Sequence, residues 1–277
     1  MQPFVKWAGG KRQLLPEIKN HLPQQFNNYY EPFIGGGAVL FELNLENSII
    51  SDNNRVLIDT YIALRDHLTD LIPLLNELQD EHNSFNDIEK AKEYYYAKRE
   101  RFNELILEEE ASLERSALFM YLNKACFNGL YRVNANGLFN VPSNQKKKIN
   151  IFEKTNLEQI SDFLKTVQIY HQDFETTVQN ATEGDLVFFD SPYAPLNPTS
   201  FDSYTKEGFS TDEHIRLSNL FKRLTEQGVY CILTNHNTDF IRDLYSDFNI
   251  FEIDVKRMIN SDAKNRTGKE LIVTNFD

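Results

Sequence analysis

Apolar residues along this chain fall into short clusters, and the spacing inside each cluster predicts an element. Residues 29–33 read as a short strand, followed by Gly35-Gly36-Gly37 and an apolar helix through Leu45. Residues 48–51 read as a second strand ending at Asp52, and 55–68 carry helical periodicity. From 72 to 124 the pattern is long, polar and helical with few breakers, a texture unlike its flanks. Residues 128–142 change again, to two short strands around an Asn-Gly turn. Strands resume at 167–170, 186–189, 229–233, 250–255 and 271–275, with helical segments between several of them. Strands alternating with helices predict an α/β fold with a largely parallel sheet and covered faces. A polar segment without helical pattern joins the last two strands, so they are expected to pair antiparallel. The expected division is a main domain formed by 1–70 and 151–277, with 71–150 as an inserted helical and β-hairpin subdomain.

The chain's 277 residues suit one large α/β domain with such an insert. A hydrophobic share of 41% excludes a disordered chain. No apolar run reaches the roughly 18 residues of a membrane span, and the N-terminus lacks a signal-peptide layout. The two cysteines, Cys126 and Cys231, have apolar neighbours and read as reduced core thiols in a cytoplasmic protein. A net charge of -12 argues against non-specific coating of nucleic acid. Acid, however, concentrates in 77–114, including Glu108, Glu109 and Glu110. Base collects at Lys6, Lys11 and Arg12, at Arg132, at Lys146, Lys147 and Lys148, and at Lys256, Arg257, Lys264, Arg266 and Lys269. That segregation can leave one positive face on an acidic protein.

Two segments carry the chemistry of a cofactor pocket. Phe33-Ile34-Gly35-Gly36-Gly37 closes the first strand, and Asp52 closes the next, 17 residues after Gly35. Glycines there let a ligand approach the backbone, and an acid at the following strand end can hold ribose hydroxyls. The spacing departs from the dinucleotide fingerprint and suits S-adenosylmethionine better. The second segment is Lys6-Trp7-Ala8-Gly9-Gly10-Lys11, which holds the only tryptophan.

The strongest local signal is Leu186-Val187-Phe188-Phe189-Asp190-Ser191-Pro192-Tyr193. An apolar strand delivers an acid, a proline-stiffened turn and an aromatic ring to the carboxyl end of a sheet, where open α/β folds bind ligands. Such a set suits methylation of an exocyclic base amine. The Asp190 carboxylate and a backbone carbonyl can accept its two N–H groups and aim its lone pair. Tyr193 can stack on a base extruded from a duplex.

Taken in order, Lys6 to Lys11, Glu31-Pro32-Phe33-Ile34-Gly35-Gly36-Gly37-Ala38, Ser51-Asp52-Asn53-Asn54, Asp190-Ser191-Pro192-Tyr193 and the closing Ile272-Val273-Thr274-Asn275 resemble the motifs of the Dam/DpnII-type adenine methyltransferases. The resemblance runs over nearly the whole chain. It implies a Rossmann-like class I S-adenosylmethionine-dependent methyltransferase sheet and an inserted DNA-recognition subdomain. The implied activity is adenine N6 methylation of double-stranded DNA at GATC, yielding S-adenosylhomocysteine, with no metal and no membrane. It implies that Trp7, Lys11, Phe33, Gly35, Asp52, Phe174 and Asp190 contact the cofactor. Phe33 and Phe174 would flank its adenine ring. The catalytic tetrad would be Asp190, Ser191, Pro192 and Tyr193. Here the chain departs from the family, which has proline where Ser191 stands.

In residues 128–142, Leu130 and Arg132 lie two apart and so on one face of a strand. Arginine can be bidentate to guanine, and an apolar side chain can meet a thymine methyl. By the resemblance, Leu130 and Pro142 would sense thymine, Arg132 a guanine and Lys6 the first guanine. Asn128 and Tyr131 would fill the gap left by the extruded base. The polar stretch 194–210 reads as a loop over the active site, with Ser200, Ser203 and Thr205 as candidate phosphate contacts. Within the family, a solitary methylase and the partner in function of a restriction endonuclease, in a prokaryote or phage, both remain open. Rival readings are a DNA-binding relic disabled at Ser191 and a nicotinamide oxidoreductase; the glycine spacing and the tetrad disfavour the second.

Overall fold

The first strand, β1, is Tyr29–Glu31. It stops short of the apolar pattern because Pro32 follows and has no N–H to give a ladder. A computed structural model of the chain describes residues 1–7, 9, 11–109, 111–196, 209–256 and 267–277. In chain order its elements are α1 (Leu15–Asn20), β1, α2 (Ala38–Leu43), β2 (Ile49–Asp52), α3 (Arg55–Asp66), α4 (Leu68–Ser84), α5 (Ile88–Leu107), α6 (Leu113–Ala125), α7 (Lys154–Leu164), β3 (Gln168–His171), α8 (Phe174–Thr177), β4 (Leu186–Phe189), α9 (Thr211–Glu226), β5 (Tyr230–His236), α10 (Asp239–Leu244), β6 (Asn249–Lys256) and β7 (Thr267–Thr274). The chain divides into two compact units. The first is 1–10, 35–46 and 54–171; the second is 11–34, 47–53 and 172–277.

In the second unit six strands stand in the order β2-β1-β4-β5-β7-β6. Pairing is parallel from β2 through β5, with Tyr30 opposite Ile49 and Val187, and Leu186 opposite Tyr230. β7 then enters antiparallel between β5 and β6. The antiparallel pairing of the last two strands is as the sequence predicts. That β7 lies inside, next to β5, is not written in any local pattern. Every residue of β4 is buried, as expected for a strand covered on both faces. Below it, Phe221, Leu217 and Leu224 of α9 pack with Val187, Phe189, Cys231 and Leu233 in one apolar cluster.

The first unit centres on α6, in which residues 115–123 are all buried. A helix apolar on most sides needs neighbours all round, and α3, α4 and α5 supply them. Ser112 caps α6 by accepting from the Arg115 N–H at 3.1 Å, and Asn54 caps α3 in the same way at 3.0 Å. The buried Arg115 guanidinium is neutralised by Asp59 of α3. Both cysteines are buried and free, and burial raises both thiols above their ordinary range.

The expected hairpin at 128–142 closes through one antiparallel bridge, Val133 to Phe139, rather than through two extended strands. Two backbone bonds flank that bridge, from the Asn134 N–H to the Leu138 carbonyl at 2.8 Å and from the Asn140 N–H to the Arg132 carbonyl at 3.1 Å, and helix side chains take backbone groups at its outer edges. Asn103 accepts from the Phe139 N–H and donates to its carbonyl, Tyr95 donates to Val141 at 2.7 Å, and Asn123 donates to Gly129 at 3.1 Å. The turn centres on Asn134 to Gly137, where the Asn134 side chain accepts from Asn136 and Leu138.

Candidate active site

In the second unit the apolar run of β4 ends at Asp190, at the carboxyl edge of the parallel strands. The Asp190 carboxylate lies 2.6 Å from the Lys11 ammonium, with side-chain exposures of 21% and 3%. Thr234, on the neighbouring β5, donates to the same carboxylate oxygen at 3.0 Å. Burial pushes the Asp190 carboxyl above the usual carboxylate range, and the Lys11 charge pulls the other way. The Lys11 ammonium also sits 4.6 Å from the centre of the Tyr193 ring, a cation–π distance. Thus three residues expected at the site, Lys11, Asp190 and Tyr193, stand together.

The turn after Asp190 is pinned by the end of β5. Ser191 is buried, and its hydroxyl accepts from Asn235 Nδ2 at 3.4 Å. Asn235 Oδ1 accepts from the Ala194 N–H at 2.9 Å, and His236 Nδ1 donates to the Ala194 carbonyl at 2.7 Å. Pro192 is exposed and Tyr193 half-buried. Asn235 was not singled out by sequence reasoning. The usable signal is a polar Thr234-Asn235-His236 run at the end of an apolar strand.

Phe33 and Phe174 also meet. Their rings stack at 5.2 Å with planes 28° apart, and Phe209 packs against both. The Arg216 guanidinium covers Phe174 at 4.2 Å and pairs with Asp173 at 2.5 Å. Asp52 is half-buried at the last position of β2.

In the first unit Lys6 is exposed at its head but fixed at its backbone. Its N–H donates to Asn123 Oδ1 and its carbonyl accepts from Asn123 Nδ2, each at 2.8 Å. Gly129, with φ +67°, receives the Lys6 stem so closely that a Cβ would lie 2.4 Å from Lys6 Cδ. Trp7 stacks on Tyr131 at 5.4 Å, and a Cβ on Gly35 would lie 2.6 Å from Trp7 Cδ1. Asn128 is exposed with φ 57°, Arg132 is exposed, and Leu130 is half-buried rather than exposed. Arg132 Nε donates to Asn140 Oδ1 at 2.8 Å, which holds the guanidinium. The Pro142 carbonyl accepts from the Phe127 N–H at 2.8 Å. Phe127 itself is 52% exposed. Sequence reasoning passed over it because an aromatic beside Cys126 reads as core.

Ser200, Ser203 and Thr205, with Arg257, Lys264 and Arg266, lie outside the described residues. Among the described residues no group of His, Cys, Asp and Glu could hold a metal ion, and no helix is long and apolar enough to cross a membrane.

With this geometry in hand, comparison with known proteins identifies the family. Residues 7–259 match the profile of the D12 class N6 adenine-specific DNA methyltransferases. The chain is 42% identical, over all of its length and 96% of the relative's, to the Type II methyltransferase M1.LlaDCHI of Lactococcus lactis subsp. cremoris. It is also 42% identical to the Type II methyltransferase M.MjaIII of Methanocaldococcus jannaschii, over all of this chain and 99% of that one. The DNA adenine methylase of Haemophilus influenzae is 33% identical over 98% of this chain and 92% of its own. The α/β architecture with a mostly parallel sheet is that of a Rossmann-like methyltransferase. This chain therefore belongs to the D12 class of N6 adenine-specific DNA methyltransferases, and its activity is adenine-specific methylation of DNA.

Proposed function

We propose that this enzyme transfers a methyl group from S-adenosylmethionine to N6 of an adenine turned out of the duplex at GATC. The observation that carries this reading is the grouping of Lys11, Asp190 and Tyr193 at the carboxyl end of β4. The residues present fit the cofactor. The stacked Phe33 and Phe174 offer an aromatic face for its adenine, and Asp52 offers a carboxylate for ribose hydroxyls. A ring sandwiched between two parallel rings needs about 7 Å between them. The 5.2 Å stack of Phe33 and Phe174 therefore favours packing against the pair. By the family resemblance Trp7 and Gly35 join the cofactor-contacting set. When bound, S-adenosylmethionine supplies an electrophilic methyl on a positively charged sulfur.

The chain's own residues prepare the amine. Asp190 accepts one N–H of N6 and the Ser191 carbonyl the other, which turns the nitrogen lone pair out of the ring plane. Thr234 and Lys11 hold the acceptor in place. Tyr193 stacks on the extruded base.

Residues 71–150 form the target-recognition subdomain in this reading. Lys6 and Arg132 read the guanines, and Leu130 and Pro142 meet the thymine methyl. Asn128, Tyr131 and the exposed Phe127 face the gap left by the adenine. The Type II names of the two relatives at 42% identity favour the methylase of a restriction–modification pair, working in the cytoplasm on the nucleoid. The endonuclease would be a partner in function and not in a complex.

The test is incubation with radiolabelled S-adenosylmethionine and duplexes that contain or lack GATC, with the product base identified by mass spectrometry. Label on adenine N6 in GATC duplexes alone is expected. Equal labelling of both duplexes would remove GATC as the target. Tight GATC binding without transfer would support the relic reading.

A further inference from the structure

The tetrad tyrosine has a partner outside every segment so far given a role. The Tyr193 hydroxyl donates to Glu270 Oε2 at 2.9 Å. Glu270 is on β7 and pairs across the ladder with His236 of β5. The His236 and Tyr193 rings meet in a T-shaped arrangement, at 4.8 Å and 76°. The ring is thus held at three points: at its hydroxyl by Glu270, by the near-perpendicular His236 ring, and over one face by Lys11. Burial, with the carboxylates of Asp190 and Glu270 nearby, holds the phenol well above its ordinary pKa. The phenol therefore stays protonated and is the donor in this bond.

We infer that Glu270 is a positioning residue for methyl transfer, fixing the plane of Tyr193 so that the ring offers a set face to the target base. The inference rests on the proposed stacking role of Tyr193. A phenyl ring on a freely turning side chain must be ordered when the base arrives, and that cost falls on the stacked complex. A ring already tethered at its far end has been ordered by folding. The antiparallel β7 is what makes the tether available, because it brings a carboxylate beside His236 at the end of β5. The tether acts on the arrangement of the base and not on the affinity for cofactor, so its loss should lower the single-turnover rate and leave cofactor binding alone.

The experiment is a double-mutant cycle on the full-length enzyme, with Glu270→Ala, Tyr193→Phe and both together. Single-turnover methylation of a GATC duplex gives the rate, and 2-aminopurine at the target position reports stacking of the extruded base by quenching. Glu270→Ala and Tyr193→Phe should each slow transfer by about tenfold, and the double variant by no more than either alone, as for two residues acting through one contact. Glu270→Gln, whose amide oxygen still accepts, should recover most of the rate. Cofactor affinity by calorimetry should stay within about twofold of wild type in all variants. Independent, multiplicative losses, or a loss in Glu270→Gln equal to that in Glu270→Ala, would overturn the tether. A Tyr193→Ala control separates the two ideas: if it transfers methyl at the wild-type rate, the stacking role itself is wrong.

Discussion

The Lys11 ammonium lies 2.6 Å from the Asp190 carboxylate, although the two residues are far apart in the chain. Lys11 is almost wholly buried, so the pair is a desolvated one in which each charge depends on the other. Its balance sets when Asp190 can act.

In the proposed mechanism Asp190 accepts a hydrogen bond from the amine, and it does so most strongly when ionised. Burial raises its carboxyl pKa, so the rate should fall on acidification at a pH above the range of an ordinary aspartate, about 3.9. Lys11 lowers that pKa. Replacing it in Lys11→Met should therefore shift the acid limb to higher pH, the direction expected when the opposing charge is removed. Single-turnover rates across pH for both proteins provide the check. A limb that stays in place, or moves to lower pH, would separate Lys11 from the titration.

Ser191 replaces a proline of the family pattern, yet in the proposed mechanism its contribution to the amine is a backbone carbonyl, which serine has too. Pro192 restricts Ser191 to extended conformations, and Asn235 holds its hydroxyl at 3.4 Å. Ser191→Pro should leave the single-turnover rate within about tenfold, or 1.4 kcal/mol. Asp190→Ala should cost about 100-fold or more, as does loss of a preorganised polar partner at a reacting group. An enzyme silent as wild type and active only as Ser191→Pro would show that the serine has disabled it.

Arg132 is exposed and held by Asn140, and in the proposed reading its fork meets a guanine edge. Arg132→Ala should relax discrimination at one base pair by about 1–3 kcal/mol. Lys147→Ala, in an exposed lysine run, should instead weaken binding to all sequences alike, lowering the salt slope by about one. Binding to GATC and single-base variants over a salt series distinguishes the two. Equal weakening of cognate and variant duplexes by Arg132→Ala would end its base-reading role.

Gly35 has φ +48° and no room for a Cβ beside Trp7. Gly35→Ala should cost about 1–3 kcal/mol through overpacking and move the indole. Trp7 is the only tryptophan, so its emission reports the shift directly. Gly36→Ala, where the nearest atom is 3.3 Å away, is the matched control and should be milder. Unchanged emission and melting in Gly35→Ala would show that the close packing is not a constraint.

Most elements were legible because their signals are local. The run 186–189 is apolar without alternation, so it had to be a covered strand, and Asp190 had to emerge at its end. The helical texture of 72–124 resolves into α4, α5 and α6 for the same reason: periodicity belongs to neighbouring residues. The two strands expected in 128–142 shrink to one bridge, Val133 to Phe139, with Asn103, Tyr95 and Asn123 holding outward backbone groups of the segment. Asn103 and Tyr95 lie 36 and 46 residues from the groups they hold, so their anchoring leaves no mark on the segment itself.

The sequence alone determined the family, the sheet-and-helix alternation and the delivery of Asp190 and Tyr193 to a sheet edge, since these follow from local pattern and motif order. Tertiary structure alone decided that β7 runs between β5 and β6, that Lys11 neutralises Asp190, and that Glu270 tethers Tyr193. Strand order and the choice of partner for a buried charge are settled by packing between segments far apart in the chain, where the free energy depends on every surface brought together and not on the residues next door.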